Sequence, residues 1–398
     1  MSRSSVLQLD AQRILADAAA LSGLSISLDG AARTGFDEVL RALNEEADLT
    51  PQMSVQVAAQ LTGLVADHQR IHADRRAHPD IAAERIERPL IVCGMPRSGA
   101  TLLHRLLGLD PANRTPLLWE RYFPSPPPGR ADDLSSRRAQ GDAVVAQILE
   151  RMPGFLTAHP YWDALGRATA DCDDILQLTF ASLCFQAFHH VPGYNRWMAA
   201  ADFTPYYRFH RAFLQNLQWG APRARWALKG VVHGYCPEAV KATYPDAVMI
   251  WPHRDIVAQL ESNLELGAIV RTTEDPGERA VVAADWLDHT EAGLRRGLSS
   301  PLFDDEDFIC HVSFDDLVRH PAQTVRAIYR RYDLPFDDDF AARIEGWLAD
   351  PANRYDRYGR PSYDLAHFGV QAGELAERFA FYGRRLGDRL DTGLPAVR

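Results

Sequence analysis

The sequence predicts an α/β fold: a central, mainly parallel β-sheet flanked by helices, with a helical segment before it and a helical insertion within it. Two observations carry the prediction. Apolar runs of strand length, at Leu90–Cys93, Arg225–Lys229, Ala247–Pro252 and Ile309–Phe314, alternate along the chain with stretches of helical periodicity. The first run also passes through a turn with glycine at each end, Gly94 to Gly99, into leucines at helical spacing that stop before Pro111.

The elements follow in order. Residues 1–86 read as helical, with Val6, Leu7, Ile14, Leu15 and Ala18 at helical spacing, a second helix over Phe36–Leu43 and an amphipathic third over Val55–Ile71. We take this segment as a cap packed on the core; a substrate or dimer element is the other reading. The α/β domain is expected over 87–390. Its opening strand, turn and helix form an anion site in principle, because turn N–H groups and the positive end of a helix dipole point the same way. The Gly-x-x-x-x-Gly spacing, with Thr101 two residues on, makes the turn P-loop-like. The lysine of a nucleotide triphosphatase would fall at Ala100, so the loop's cation is Arg97 instead. The run Pro124-Ser-Pro-Pro-Pro-Gly129 is a stiff link into an insertion, about 131–220, rich in aromatics such as Phe155, Trp162, Phe180, Tyr194, Tyr207 and Phe213. Such residues form core more often than pocket, yet an insertion here is also where an acceptor pocket or lid is built. Ligands of parallel sheets lie beyond the carboxyl ends of the strands, and the 94–99 loop, Lys229, His233 and Arg254 all fall at or just past such ends.

Composition bounds the function. Across 398 residues, 43 Lys+Arg against 53 Asp+Glu give a net charge of −10, which argues against non-specific binding to nucleic acid or to anionic membrane. An anionic ligand would need a local basic pocket. The 5 cysteines are odd in number and scattered, without metal or disulfide spacing, which favours a reduced, cytoplasmic setting and no metal. The N-terminus lacks a signal-peptide core and no apolar run is long enough for a membrane anchor.

Pro96-Arg97-Ser98-Gly99-Ala100-Thr101 resembles the 5′-phosphosulfate loop, Pro-(Lys/Arg)-Ser-Gly-Thr-Thr, of the sulfotransferases that use 3′-phosphoadenosine-5′-phosphosulfate (PAPS), in particular the soluble bacterial type. The ordered resemblance runs over about 88–385. It implies that Arg97, Ser98, Gly99, Ala100 and Thr101 hold the 5′-phosphosulfate, with one hydroxyl contact missing at Ala100. Arg254 at a strand end and Ser262 eight residues on, about two helical turns along one face, match the family's 3′-phosphate clamp. Phe314, in Phe314-Asp-Asp-Leu317, resembles the aromatic near the adenine, and Arg360 the late basic loop that returns to the 3′-phosphate.

Sulfuryl transfer asks for positioning and for charge stabilisation on the leaving oxygen, as phosphoryl transfer does. Arg97 supplies a fixed fork of charge, and Lys229 is a second cation resembling the family's strand-end lysine. The base is open between Glu120, which resembles the catalytic glutamate of tyrosylprotein and heparan sulfotransferases, and His233, whose imidazole accepts a proton near pH 7 without a shift. The expected activity is sulfuryl transfer from PAPS to a small or medium-sized acceptor, an alcohol or phenol. A phosphate-loop kinase or nucleotide hydrolase, and a non-catalytic binder of adenosine bisphosphate, are the alternatives; Ala100 speaks against the first.

Overall fold

The computed structural model describes residues 8–28, 30–131, 133–222, 224–359 and 363–387. Five strands, β1 (Leu90–Val92), β2 (Asn113–Arg114), β3 (Arg225–Lys229), β4 (Val248–His253) and β5 (Ile309–Ser313), form one sheet in the order β2-β3-β1-β4-β5. Every pairing is parallel. The four expected strands are present. The two-residue β2 was not anticipated, being too short to show alternation.

Each strand divides its side chains between two apolar layers, as the pleat requires when helices cover both faces. Leu90, Val92, Ala227, Val248, Ile250, Cys310 and Val312 pack with helix α4 (Ala100–Leu107) and the later helices Pro321–Arg331 and Asp338–Ala349. Ile91, Cys93, Trp226, Leu228, Met249, Trp251 and Ile309 face the larger core. That core takes in the N-terminal helices, the insertion and the C-terminal helices together.

The N-terminal segment forms α1 (Ala11–Ser22), α2 (Gly30–Glu45) and α3 (Pro51–Ala77). The side chain of Asp10 caps α1 by accepting the Arg13 N–H at 2.7 Å, and that of Thr50 caps α3 by accepting the Met53 N–H at 3.2 Å. Leu61 and Val65 of α3 have no exposure at all. Burying each stabilises the segment by about 1.5–3 kcal/mol. Between β2 and β3 the chain runs through the helices Ser135–Arg151, Cys172–Leu176, Pro192–Ala200 and Thr204–Gln218, among others. Of the insertion's aromatics, Phe180, Tyr194, Tyr207 and Phe213 are wholly buried, so they build core.

The register sets the geometry of the top edge. Val92 pairs with Lys229 on one side and Ile250 on the other, so β1 and β3 end level and β4 runs three residues further. Whatever follows these three strands must emerge side by side.

Several histidines are buried and held neutral. Burial is the main cause in each case: it lowers His68, His104 and His210 to about 3, His189 and His289 to about 4, and His233 well below its ordinary range. Below pH 6.5 the unfolded chain takes up these protons and the folded chain does not, so stability is lost as pH falls. Asp67, Asp74, Asp173 and Asp174, raised by burial, oppose the trend because the folded chain protonates them first. The histidines outnumber them. The urea midpoint is therefore expected to drop between pH 7 and pH 5, each uncompensated histidine contributing up to about 1.4 kcal/mol per pH unit. A midpoint that is level or rises over that range would contradict the burial of these rings.

Candidate active site

Gly94 and Gly99 open and close the loop after β1, with φ of +100° and +89°. A Cβ on Gly94 would lie 3.0 Å from the Trp251 ring and 3.1 Å from the Pro252 carbonyl oxygen, so the loop backbone lies directly against β4. A Cβ on Gly99 would meet Leu317 at 3.0 Å and Phe314 at 3.1 Å. Arg97, between them, also has a positive φ, +68°, a conformation that costs a non-glycine residue of order 1 kcal/mol. Gln259 holds the loop from beneath, donating to the carbonyls of Met95 at 3.3 Å and Pro96 at 3.0 Å. Helix α4 starts at Ala100, so its free N–H groups face the loop.

The loop opens into a cavity of about 1430 Å³ beyond the ends of β1, β3 and β4. Arg97, Arg254 and Lys229 are the cations of its lining at the loop end. Arg97 donates from Nε to the Ser262 hydroxyl at 2.7 Å, from Nη1 to the Ala158 carbonyl at 2.6 Å and from Nη2 to the Tyr363 hydroxyl at 3.2 Å. All three partners are neutral oxygens. Arg254 donates to the Arg97 carbonyl at 3.0 Å, and its guanidinium lies 4.5 Å from the centre of the Phe314 ring. Burial, and then the charge of Arg97, lower its pKa. Lys229 Nζ pairs with Asp171 at 2.6 Å and reaches Thr101 Oγ1 at 3.4 Å. His159 lines the same wall; burial, with the charges of Lys229 and Arg97, holds its imidazole neutral.

The opposite arm is largely apolar. Met53, Val57 and Leu64 of α3, Ile148 and Met152 from the insertion, and Val270 form it. The N-terminal segment is thus more than a cap on the core, because one face of α3 is a cavity wall.

The sequence-derived residues divide in two. Arg97, Gly99, Ala100, Thr101, Lys229, Arg254 and Phe314 come together at the cavity. Ser262 lies one bond behind, through Arg97, and Ser98 is buried under the loop with its hydroxyl unpartnered among the described residues. Arg360 lies outside the described residues. Glu120 and His233, the two candidate bases, do not line the cavity. Glu120, 4% exposed, is held by Arg114 at 2.6 Å and by the Leu117 N–H at 3.0 Å, fixing the start of its own short helix. His233 is wholly buried, with Nδ1 2.5 Å from the Tyr207 hydroxyl, and burial keeps it neutral well below its ordinary range.

A family model described as the sulfotransferase family matches residues 89–338, more than half of the chain and the whole span from β1 to β5. The chain belongs to the sulfotransferase family. Two solved structures are similar over nearly its full length. Sulfotransferase STF9 from Mycobacterium avium is 28% identical, with a TM-score of 0.81 over 96% of this chain and 98% of that one. Sulfotransferase STF1 from Mycobacterium tuberculosis H37Rv is 27% identical, with a TM-score of 0.80 over 94% of this chain and 99% of that one. No curated protein matches the chain.

Sequence reasoning missed His159, Asp171, Asp173, Gln259 and Tyr363 in this sulfotransferase. Gln259 had a legible signal, one helical turn before Ser262 on the same face. Asp171 and Asp173 had none, since closure of the insertion onto β3 brings them to Lys229 and Val231 across 58 positions. Among the described residues no helix is long and apolar enough to cross a membrane, and no three His, Cys, Asp or Glu side chains could hold a metal ion.

The placement of Glu120 generates a test. Glu120→Gln leaves the Arg114 charge half-buried without its counter-charge, so unfolding free energy should fall by about 1–3 kcal/mol. The rate of sulfuryl transfer per folded molecule should stay within a few-fold of wild type. A loss of roughly a hundred-fold in rate at unchanged stability would return Glu120 to the chemistry.

Proposed function

We propose that this sulfotransferase moves a sulfuryl group from PAPS to the hydroxyl of a small or medium-sized apolar acceptor, an alcohol or phenol. The observation that carries the reading is the set of cations around one glycine loop, with Arg97 bonded only to neutral oxygens among the described residues. Half-buried charge without a counter-charge is costly and calls for an anion. The donor fits the residues present: a cradle in which a side chain on Gly94 or Gly99 would collide, free helix N–H groups, and forked guanidiniums suited to phosphate and sulfate oxygens.

In this reading the loop amides, Thr101 and Arg97 hold the 5′-phosphosulfate, and Lys229 sits at the bridging oxygen that leaves. Arg254 takes the 3′-phosphate. Ser262 accepts from Arg97 through its oxygen, which leaves its own hydroxyl proton free to donate to an anion. Phe314 supports Arg254 and presents an apolar edge to the adenine. The acceptor oxygen attacks sulfur in line, the sulfur–oxygen bond to the 5′-phosphate breaks, and adenosine 3′,5′-bisphosphate and a sulfate ester result. Stabilisation comes from fixed charge already oriented before the reaction, which costs no reorganisation during it.

The cavity also has room for two substrates. Its volume, about 1430 Å³, exceeds the roughly 300–1,000 Å³ of a pocket for one drug-sized ligand. The apolar arm formed by α3 and the insertion supports a ring-bearing or aliphatic acceptor. The net charge of −10 weighs against a polyanionic one.

Thermal unfolding tests the donor. Adenosine 3′,5′-bisphosphate at a hundred times its dissociation constant should stabilise the protein by about 2.7 kcal/mol, with a far smaller effect of ATP and Mg²⁺ at the same concentration. Arg254→Ala should weaken the bisphosphate roughly ten-fold or more, while adenosine 5′-phosphosulfate, which lacks the 3′-phosphate, loses much less. Equal stabilisation by ATP would favour a nucleoside triphosphate enzyme and sink the reading.

A further inference from the structure

We propose that Asp173 is the general base that takes the proton from the acceptor hydroxyl. The assignment rests on the transfer reaction argued above and names the group that reading lacks.

Three carboxylates, Asp171, Asp173 and Asp174, line the cavity wall beside the end of β3, and they are bonded differently. Asp171 spends an oxygen on the Lys229 ammonium at 2.6 Å. Asp174 accepts the Asp171 N–H at 3.1 Å, within its own turn. Asp173 accepts the Val231 N–H through Oδ2 at 2.8 Å, which fixes the carboxyl plane two residues past Lys229. Its other oxygen, Oδ1, is buried and has no hydrogen-bond partner among the described residues, in a side chain only 7% exposed at the cavity wall. An acceptor left so costs about 1–3 kcal/mol, which a donor hydroxyl seated in the cavity would return. The site thus has a pinned carboxylate, one free oxygen, and the leaving-group cation on the adjacent strand end.

The electrostatic surroundings suit the task. Burial, and then the charge of Asp171, push the Asp173 carboxyl up to about 7, against the pull of the Val231 N–H and of Lys229, with Asp174 adding to the rise. The other titratable groups facing it are neutral at that pH, namely the thiols of Cys172, Cys184 and Cys236 and the phenols of Tyr194, Tyr207 and Tyr235. A carboxylate so raised is a stronger base than an ordinary one and is still half ionised at neutral pH. His159 shares the wall but is the poorer base, since a proton there would add a third positive charge beside Lys229 and Arg97. The step balances: the acceptor O–H proton passes to Asp173 Oδ1 as its oxygen bonds to sulfur. The electron pair of the breaking S–O bond stays on the 5′-phosphate. Asp173 then releases the proton to water.

Asp173→Asn keeps an oxygen for the Val231 N–H and removes the base. With PAPS as donor, transfer to cyclohexanol should fall roughly 10²–10⁴-fold. Transfer to 4-nitrophenol at pH 8, where that phenol is already ionised and needs no base, should fall only a few-fold. Stabilisation by adenosine 3′,5′-bisphosphate should be unchanged. The wild-type enzyme carries the same test without a substitution: its rate with cyclohexanol should rise with pH through about 7. A rate level from pH 6 to 8, equal losses on the two acceptors, or full activity in Asp173→Asn would overturn the assignment. So would the acceptor-dependent loss appearing in His159→Asn instead. Wild-type protein that moves no sulfuryl group to either acceptor and ignores the bisphosphate would instead remove the transfer reading itself, and the base with it.

Discussion

Arg97, Arg254 and Lys229 converge beside one glycine loop of an acidic protein, and among the described residues only the lysine is paired there with a carboxylate. Arg97 spends its whole fork on a hydroxyl, a carbonyl and a phenol, so it is oriented without being paired. Arg254 bonds the Arg97 carbonyl and lies on the Phe314 ring, contacts that position a guanidinium while leaving its charge free. Like charges held this close repel, and burial first, then the charge of Arg97, lower the pKa of Arg254. The structure tolerates it because the surrounding packing is over-determined. Trp251 backs the loop, Gln259 ties it down, and the sheet register sets the level from which it springs. The glycine loop and the Arg254 strand end, which look independent in the sequence, are therefore one connected unit, joined through Ser262 and the Arg97 carbonyl. A bis-anionic ligand would relieve the strain at both ends together.

What the sequence revealed followed from locality. The strand–loop–helix unit occupies Leu90 to Leu107 without a break, and its glycines and cation are demanded by the turn itself. The Arg254–Ser262 pair is legible for the same reason, since a strand end and the helix after it fix the interval. Strand ends also indicated where the cavity opens, because parallel sheets offer their carboxyl edge whatever their strand order.

Where reasoning from spacing went astray, burial decided. Glu120 and His233 both sit near the right elements in sequence. A residue one position off a wall, however, turns into the core, and a short helix reverses which face that is. Glu120 became the buried brace of its own helix start, with Arg114 stacked on Trp226 completing the brace. His233 follows Lys229 by four positions yet points inward to Tyr207. The carboxylates that face the cavity beside the end of β3, Asp171, Asp173 and Asp174, lie in the insertion, and no local pattern marks them. Their place depends on how a segment of about a hundred residues folds back over the sheet, which is a tertiary fact.

The same fold-back gives the site its polarity. On the donor side the wall is backbone amide, guanidinium and ammonium. On the far side it is α3 and the insertion, largely apolar but interrupted by Asp67, Arg121 and Arg151, and by Asp171, Asp173 and Asp174 where it meets the end of β3. Positive charge therefore gathers where a leaving phosphate would develop negative charge, and carboxylate where a hydroxyl would shed a proton. Lys229 stands at the boundary, tied by one bond to Asp171 and near Thr101 of the donor loop. That ion pair, with the Val231–Asp173 and Arg97–Ala158 hydrogen bonds, ties the two halves together, because the lysine is fixed to the sheet and the aspartate to the insertion. A shift of the insertion relative to the sheet would break the pair and carry Asp171 and Asp173 away from Lys229 at once. In the proposed reaction both halves have to be in place together.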